Sequence, residues 1–256
     1  MNNTFSFKRF SMLFKKHSME HGRTYLLSTA VLTGLLFVIL YLITYFNNGR
    51  ISVGDQAGIF VMGFILSGCI FTSSIFANLG NKKKAIPILT LPASHFEKYL
   101  VSWIFTLLVF QVLYVGAFYI ADSIVLALST SATTKMLYVF DSEQKLPIVF
   151  IAYTLLHALA FWGAIYFEKL HFIKTVFTFF IILLITVIVN RVIVTIFIGS
   201  TVLNGLPFLG IELLESGRFF RLAPPDGFIY AHLAVVMLIV LFLWISAFFK
   251  LKEKEV

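Results

Sequence analysis

Asn78–Lys98 reads NLGNKKKAIPILTLPASHFEK and stands between two long apolar runs that carry no Lys or Arg. A stretch with Lys82, Lys83, Lys84 and Lys98 does not belong in hydrocarbon, so the flanking runs are membrane spans and the stretch lies outside them. Its positive charge assigns it to the cytoplasmic side. It also holds more than a solvated link requires. After Pro87 comes a short amphipathic patch, Ile88 to Leu91. Pro92, Ala93 and Ser94 then mark a fresh helix start, and Glu97 and Lys98 lead into the next apolar run. A surface on which another protein docks needs such features; a plain connection does not.

Composition agrees with a chain that lives in lipid. Of 256 residues, 59% are hydrophobic and 12% charged, and 30 are Phe. A soluble domain carries about 25% charged residues. With a mean hydropathy of +0.94 the chain is an integral membrane protein. In a soluble protein the formal net charge of +8 would suggest nucleic acid. Here orientation by basic loops and attraction to anionic headgroups account for it, and no nucleic-acid partner is expected. The single cysteine, Cys69, excludes an intramolecular disulfide. The N-terminal region is expected not to be a cleavable signal peptide. Its first 23 residues are too polar, and the apolar run that follows is too long.

Working outward, six apolar runs are expected to span: 24–46, 56–79, 99–128, 146–167, 172–199 and 228–249. They form a single all-α transmembrane domain over 1–256. Ahead of them, residues 5–19 place Phe7, Phe10, Leu13 and Phe14 on one helical face and Lys8, Arg9, Lys15 and Lys16 towards the other, the pattern of a helix lying in the membrane interface. The second span is rich in small residues. Gly63 with Ser67, and Gly68 with Thr72, have the spacing that lets helix backbones approach closely. Residues 200–227 are outside the spans yet greasy, and Pro and Gly cut them into pieces too short to cross. They are expected to form one or two short re-entrant helices dipping into the outer leaflet.

Lys and Arg are unevenly shared between the two faces. The N-terminal tail has Lys8, Arg9, Lys15, Lys16 and Arg23, and the loop after span two has Lys82–Lys84 and Lys98. The turn after span four adds Lys169 and Lys174, and the C-terminal tail Lys250, Lys252 and Lys254. Arg50, Lys135, Lys145, Arg218 and Arg221 fall on the opposite face. The imbalance, 14 against five, places both termini in the cytoplasm.

Catalytic motifs are missing from the sequence. It has no GxxxxGK[ST], HExxH, CxxC or GxSxG, and its six His are scattered without metal-ligand spacing. No catalytic, cofactor-binding or metal-binding residue is expected. The polar residues within the spans are few: Gln111, Asp122, His157, Asn190 and Arg191. Arg191 is the only full charge deep in a run. It either faces a water-filled cavity or pairs with Asp122, Glu212 or Glu215, or else it snorkels outwards as an anchor. His157 reads as a hydrogen-bonded packing residue, and Gln111 as packing or pathway. Asp122 sits close enough to the interface to need no special account.

The order of parts is specific: a basic amphipathic helix, two spans, a basic cytoplasmic loop, two spans, a long fifth span with an apolar outer excursion, and a sixth span. This layout resembles the permease subunit of a type-2 ABC exporter. The resemblance is carried by Leu89, Leu91, Pro92, Ala93, Ser94 and Lys98, with Glu97-Lys98 at the end and His95 where the family often carries a polar residue. It implies that 81–98 is a coupling helix, with Ile88, Leu89, Leu91, Pro92, Ala93, Ser94, His95, Phe96, Glu97 and Lys98 contacting a separate ATPase subunit. That partner would hold ATP and Mg. A second permease, identical or different, would complete the pathway in a bacterial cytoplasmic (inner) membrane. Gln111, His157, Asn190 and Arg191 are the polar candidates along it. The cargo (lipid-like, peptide or drug) is left open. The alternative is a membrane scaffold or sensor that recruits a cytoplasmic partner and transports nothing.

Overall fold

A computed structural model describes residues 5–75, 93–129, 135–140, 146–167, 170–198, 201–204, 211–215, 218–222 and 227–254. Among these, six helices are long and apolar enough to cross a membrane, so the chain is a multi-pass membrane protein with an all-helical spanning part.

Helix α1 runs unbroken from Phe7 to Phe46. The interfacial helix expected at 5–19 is therefore no separate element; it continues directly into span one. The polar stretch Glu20–Arg23 looks like a break, yet nothing in it stops a helix. A single interior Gly, here Gly22, costs only about 1 kcal/mol. The helix stops at Asn47, followed by Asn48 (φ 55°) and Gly49 (φ 77°) in left-handed conformation. The Gly49 N–H returns to the Thr44 carbonyl at 2.9 Å, which satisfies one of the orphaned last-turn acceptors.

Helix α2, Val53–Ser74, begins with a capping box between Ser52 and Asp55. Helix α3, His95–Leu128, begins with a second one between Ser94 and Glu97. Within α3, Phe105–Val109 takes one π-helical turn. Helix α4, Pro147–Tyr166, has Pro at its first position, where the missing N–H costs nothing. Helices α5, His171–Ile198, and α6, Phe228–Lys254, complete the set.

The connection between α5 and α6 departs from expectation. Strands β1 (Thr201–Asn204), β2 (Ile211–Glu215) and β3 (Arg218–Leu222) form an antiparallel sheet in the order β1-β2-β3, not re-entrant helices. The composition explains the outcome. Only two residues separate β2 from β3 in the sequence, and Glu215 registers with Arg218 and Glu212 with Arg221. Opposite charges at directly paired positions favour a hairpin. The same residues as a helix would have placed acids and arginines on the edge of the hydrocarbon.

The core is aromatic and lies between α2, α3 and α4, with Leu36 and Leu40 of α1 against it. Phe60, Phe64, Tyr114, Phe118 and Tyr153 are fully buried. Phe60 meets Phe118 edge-on at 5.0 Å, and Phe64 meets Tyr153 at 4.7 Å. The tight-approach reading of the second span holds for two glycines. A Cβ on Gly63 would strike Tyr114, and one on Gly68 would strike the rings of Tyr153 and Phe110. A smaller cluster, with Tyr99, Phe161, Ile165 and Leu251, joins the near ends of α3, α4 and α6. The Tyr99 hydroxyl donates to the Trp244 carbonyl at 2.9 Å there. By contrast, only 6% of the most apolar window of α5 is buried.

Candidate functional site

The site with the most organised polar chemistry is the head of α3. Ile88, Leu89, Leu91 and Pro92, and the rest of 81–92, lie outside the described residues. Ala93 to Lys98 are described. Ser94 is the N-cap, its hydroxyl accepting from the Glu97 N–H at 3.2 Å. His95, Phe96, Glu97 and Lys98 form the first turn of the spanning helix itself. The helix of span three therefore begins at His95, four residues before the expected boundary at Tyr99. The Ser-x-x-Glu spacing was the local signal for this start.

Glu97 does more than cap. Its side chain has no exposed surface. One carboxylate oxygen, Oε1, accepts from the Ser6 N–H at 2.7 Å and from Arg9 Nη2 at 3.1 Å. The other, Oε2, accepts from the Ser94 N–H at 3.0 Å and from Arg9 Nε at 3.3 Å. A buried carboxylate is tolerable only with such a full set of donors. Glu97 thus caps two helices at once. It satisfies backbone donors ahead of α1 and α3 and adds a two-pronged guanidinium pair, the geometry in which Arg binds carboxylate best. No sequence signal could have found this partner.

Phe96 projects from the same turn with 46% of its surface exposed. It sits between Phe5 (5.9 Å) and Phe248 (6.0 Å), edge-on to both. The result is a small aromatic face built from the starts of α1 and α3 and the end of α6. Lys98 turns inward and is buried.

The polar residues within the spans do not converge. His157 is buried in α4, its Nε2 2.9 Å from the Thr106 hydroxyl and its ring stacked on Phe161 at 5.3 Å. Tyr153, one turn away, donates to the Thr106 carbonyl at 3.1 Å. Both bonds land on Thr106 in the π-helical turn of α3, one on its hydroxyl and one on its carbonyl. His157 is thus buried within the bundle and held by Thr106. Gln111 is half-buried on α3. Asn190 is half-buried and Arg191 exposed on α5.

Asp122 departs from expectation. It is fully buried, and neither carboxylate oxygen has a hydrogen-bond partner among the described residues. The Leu137 N–H nearby is held by Gln56 Oε1 at 2.9 Å. Asp122 is not paired with Arg191 in this structure. Glu212 and Glu215 stand in backbone register with Arg221 and Arg218.

The chain matches no protein-family model, no curated protein and no solved structure.

Proposed function

We propose that the chain is the membrane-spanning permease subunit of an ATP-driven ABC exporter, working with a separate ATPase chain that carries ATP and Mg. The observation that carries this reading is the union of Glu97 with Arg9 and Ser6. It makes the head of span three, next to the basic loop, a stiff handle joined to the N-terminal helix. A handle of this kind passes force applied at a cytoplasmic surface into two spanning helices. The exposed aromatic face around Phe96 is the docking element on it.

A second permease copy belongs to the same reading. Helix α5 leaves most of its length uncovered and carries the exposed Arg191. A charge facing lipid deep in a span costs roughly 2.5–3.5 kcal/mol. Closing α5 against another copy around an aqueous path removes that cost.

The test is a gentle detergent purification of the tagged chain, with mass spectrometry of what accompanies it and an ATPase assay on the complex. The expected result is a P-loop ATPase in equal stoichiometry, lost when Pro92 and Phe96 are both replaced by Asp. Association and export that survive the double replacement would overturn the docking assignment. A partner that is not an ATPase would overturn the exporter reading in favour of a scaffold.

A further inference from the structure

Two cavities along α1 join into one cleft whose two halves differ in chemistry. The first, about 330 Å³, lies near the start of α1 and is lined by Lys16, His17, Glu20, His21 and Lys98 among others. The second, about 490 Å³, is apolar and is walled by Leu27, Val31, Leu35, Ile70 and Leu113. Tyr25, Ser28, Phe71 and Ser74 line both, so the two are continuous. Volumes of this size fall within the ~300–1,000 Å³ of small-molecule sites.

The dimensions fit a particular kind of occupant. From Tyr25 to Leu35 is ten residues, about 15 Å along a helix. That is half of the ~30 Å hydrocarbon core, the depth of one leaflet. The wall residues Leu27, Val31 and Ile70 are largely exposed, so the apolar half opens sideways towards lipid. The polar half is lined from α1 by Leu13, Lys16, His17, Glu20 and His21, and from α3 by Lys98. Lys16 and Lys98 outnumber the one acid, Glu20. The Lys16–Glu20 pair, at 3.6 Å, is solvent-exposed on both sides, and such a pair is weak. His17 is engaged by the Tyr25 hydroxyl at 2.7 Å, which holds two of the side chains that line the polar half.

We infer that this cleft holds one phospholipid molecule from the leaflet nearest the start of α1, with its phosphate at Lys16, His21 and Lys98 and one acyl chain in the groove between α1, α2 and α3. The site stands independently of the exporter reading; a scaffold would carry it equally.

The experiment is native mass spectrometry of the full-length protein in mild detergent. Phosphatidylglycerol is added, or a diacylglycerol with the same chains, or glycerol 1-phosphate as the water-soluble headgroup. The expected result is one phosphatidylglycerol per chain, bound about ten-fold more tightly than the diacylglycerol, a preference that two basic side chains readily supply. Glycerol 1-phosphate should not compete with it. Lys16→Glu should reduce the preference towards parity. Ser28→Trp, at an exposed position on the junction, should abolish binding of both lipids with an unchanged melting temperature. Equal binding of the two lipids in the unmodified protein would overturn the inference, as would competition by glycerol 1-phosphate or full binding to the folded Ser28→Trp variant.

Discussion

The carboxylate of Glu97, with no exposed side-chain surface, lies 3.1 Å from Nη2 of Arg9, a residue 88 positions earlier in the chain. Glu97→Gln keeps the shape and one acceptor but removes the charge from a site built for it. The expected cost is about 1.5–3 kcal/mol, the scale of hydrogen bonds to charged groups. Arg9→Gln should cost a comparable amount, because it strands the buried carboxylate. The double variant should lose less than the two single losses together, since each single change already breaks the pair. Thermal unfolding of the detergent-solubilised full chain reads all three, and strictly additive losses would contradict the pairing.

Glycines in the spans should divide sharply by what surrounds them. Gly68→Ala would drive a methyl group into Tyr153 and Phe110, and Gly163→Ala into Thr175. Overpacking of this kind costs typically 1–3 kcal/mol. Gly34 and Gly58 have nothing within 4 Å of a would-be Cβ, and Ala there should be neutral or slightly stabilising through its helix propensity. Melting temperatures of the four variants, measured side by side, check the contrast.

Gln56 clamps the end of the bundle where α3 leads into α4. Its amide donates to the Lys135 carbonyl at 2.9 Å, and its oxygen accepts from the Leu137 N–H at 2.9 Å. Gln56→Leu strands both backbone groups. Hydrogen bonds between membrane segments average about 0.6 kcal/mol and reach about 1.7, so the global effect should be modest. The local effect should be large: faster proteolytic cleavage within 129–145 on the α3–α4 connection, with no change at the other loops.

Arg191 separates an aqueous role from an anchoring one. Under the exporter reading, Arg191→Leu should leave the amount of folded, membrane-inserted protein intact and abolish export by the reconstituted complex. Full export in that variant would make Arg191 an interfacial anchor.

Much of the architecture could be read in advance, and for one reason. Lipid forbids charge in a span, so runs such as 24–46 and 146–167 announce themselves without any knowledge of packing. Gly63 and Gly68 were legible for a related reason: small residues at helical spacing invite close neighbours. What escaped depended on relations across the chain. The partner of Glu97 is 88 residues away. The burial of Asp122 depends on how segment 135–140, between α3 and α4, folds back, with Leu137 and Val139 fully covered. The sheet at Thr201–Leu222 was missed because its apolar content suggested the membrane, while the pairing of Glu215 with Arg218 could be seen only once the strands were in register.

The continuity of α1 has a mechanical consequence. Forty residues in one helix make a rod about 60 Å long, twice the ~30 Å thickness of the hydrocarbon it crosses. No break in the helix separates its two ends. Arg9 fastens one tip of the rod to the head of α3, and Phe46 lies at the far tip. Under the exporter reading, a tilt imposed at Glu97 would be carried along α1 towards Phe46 at its far end.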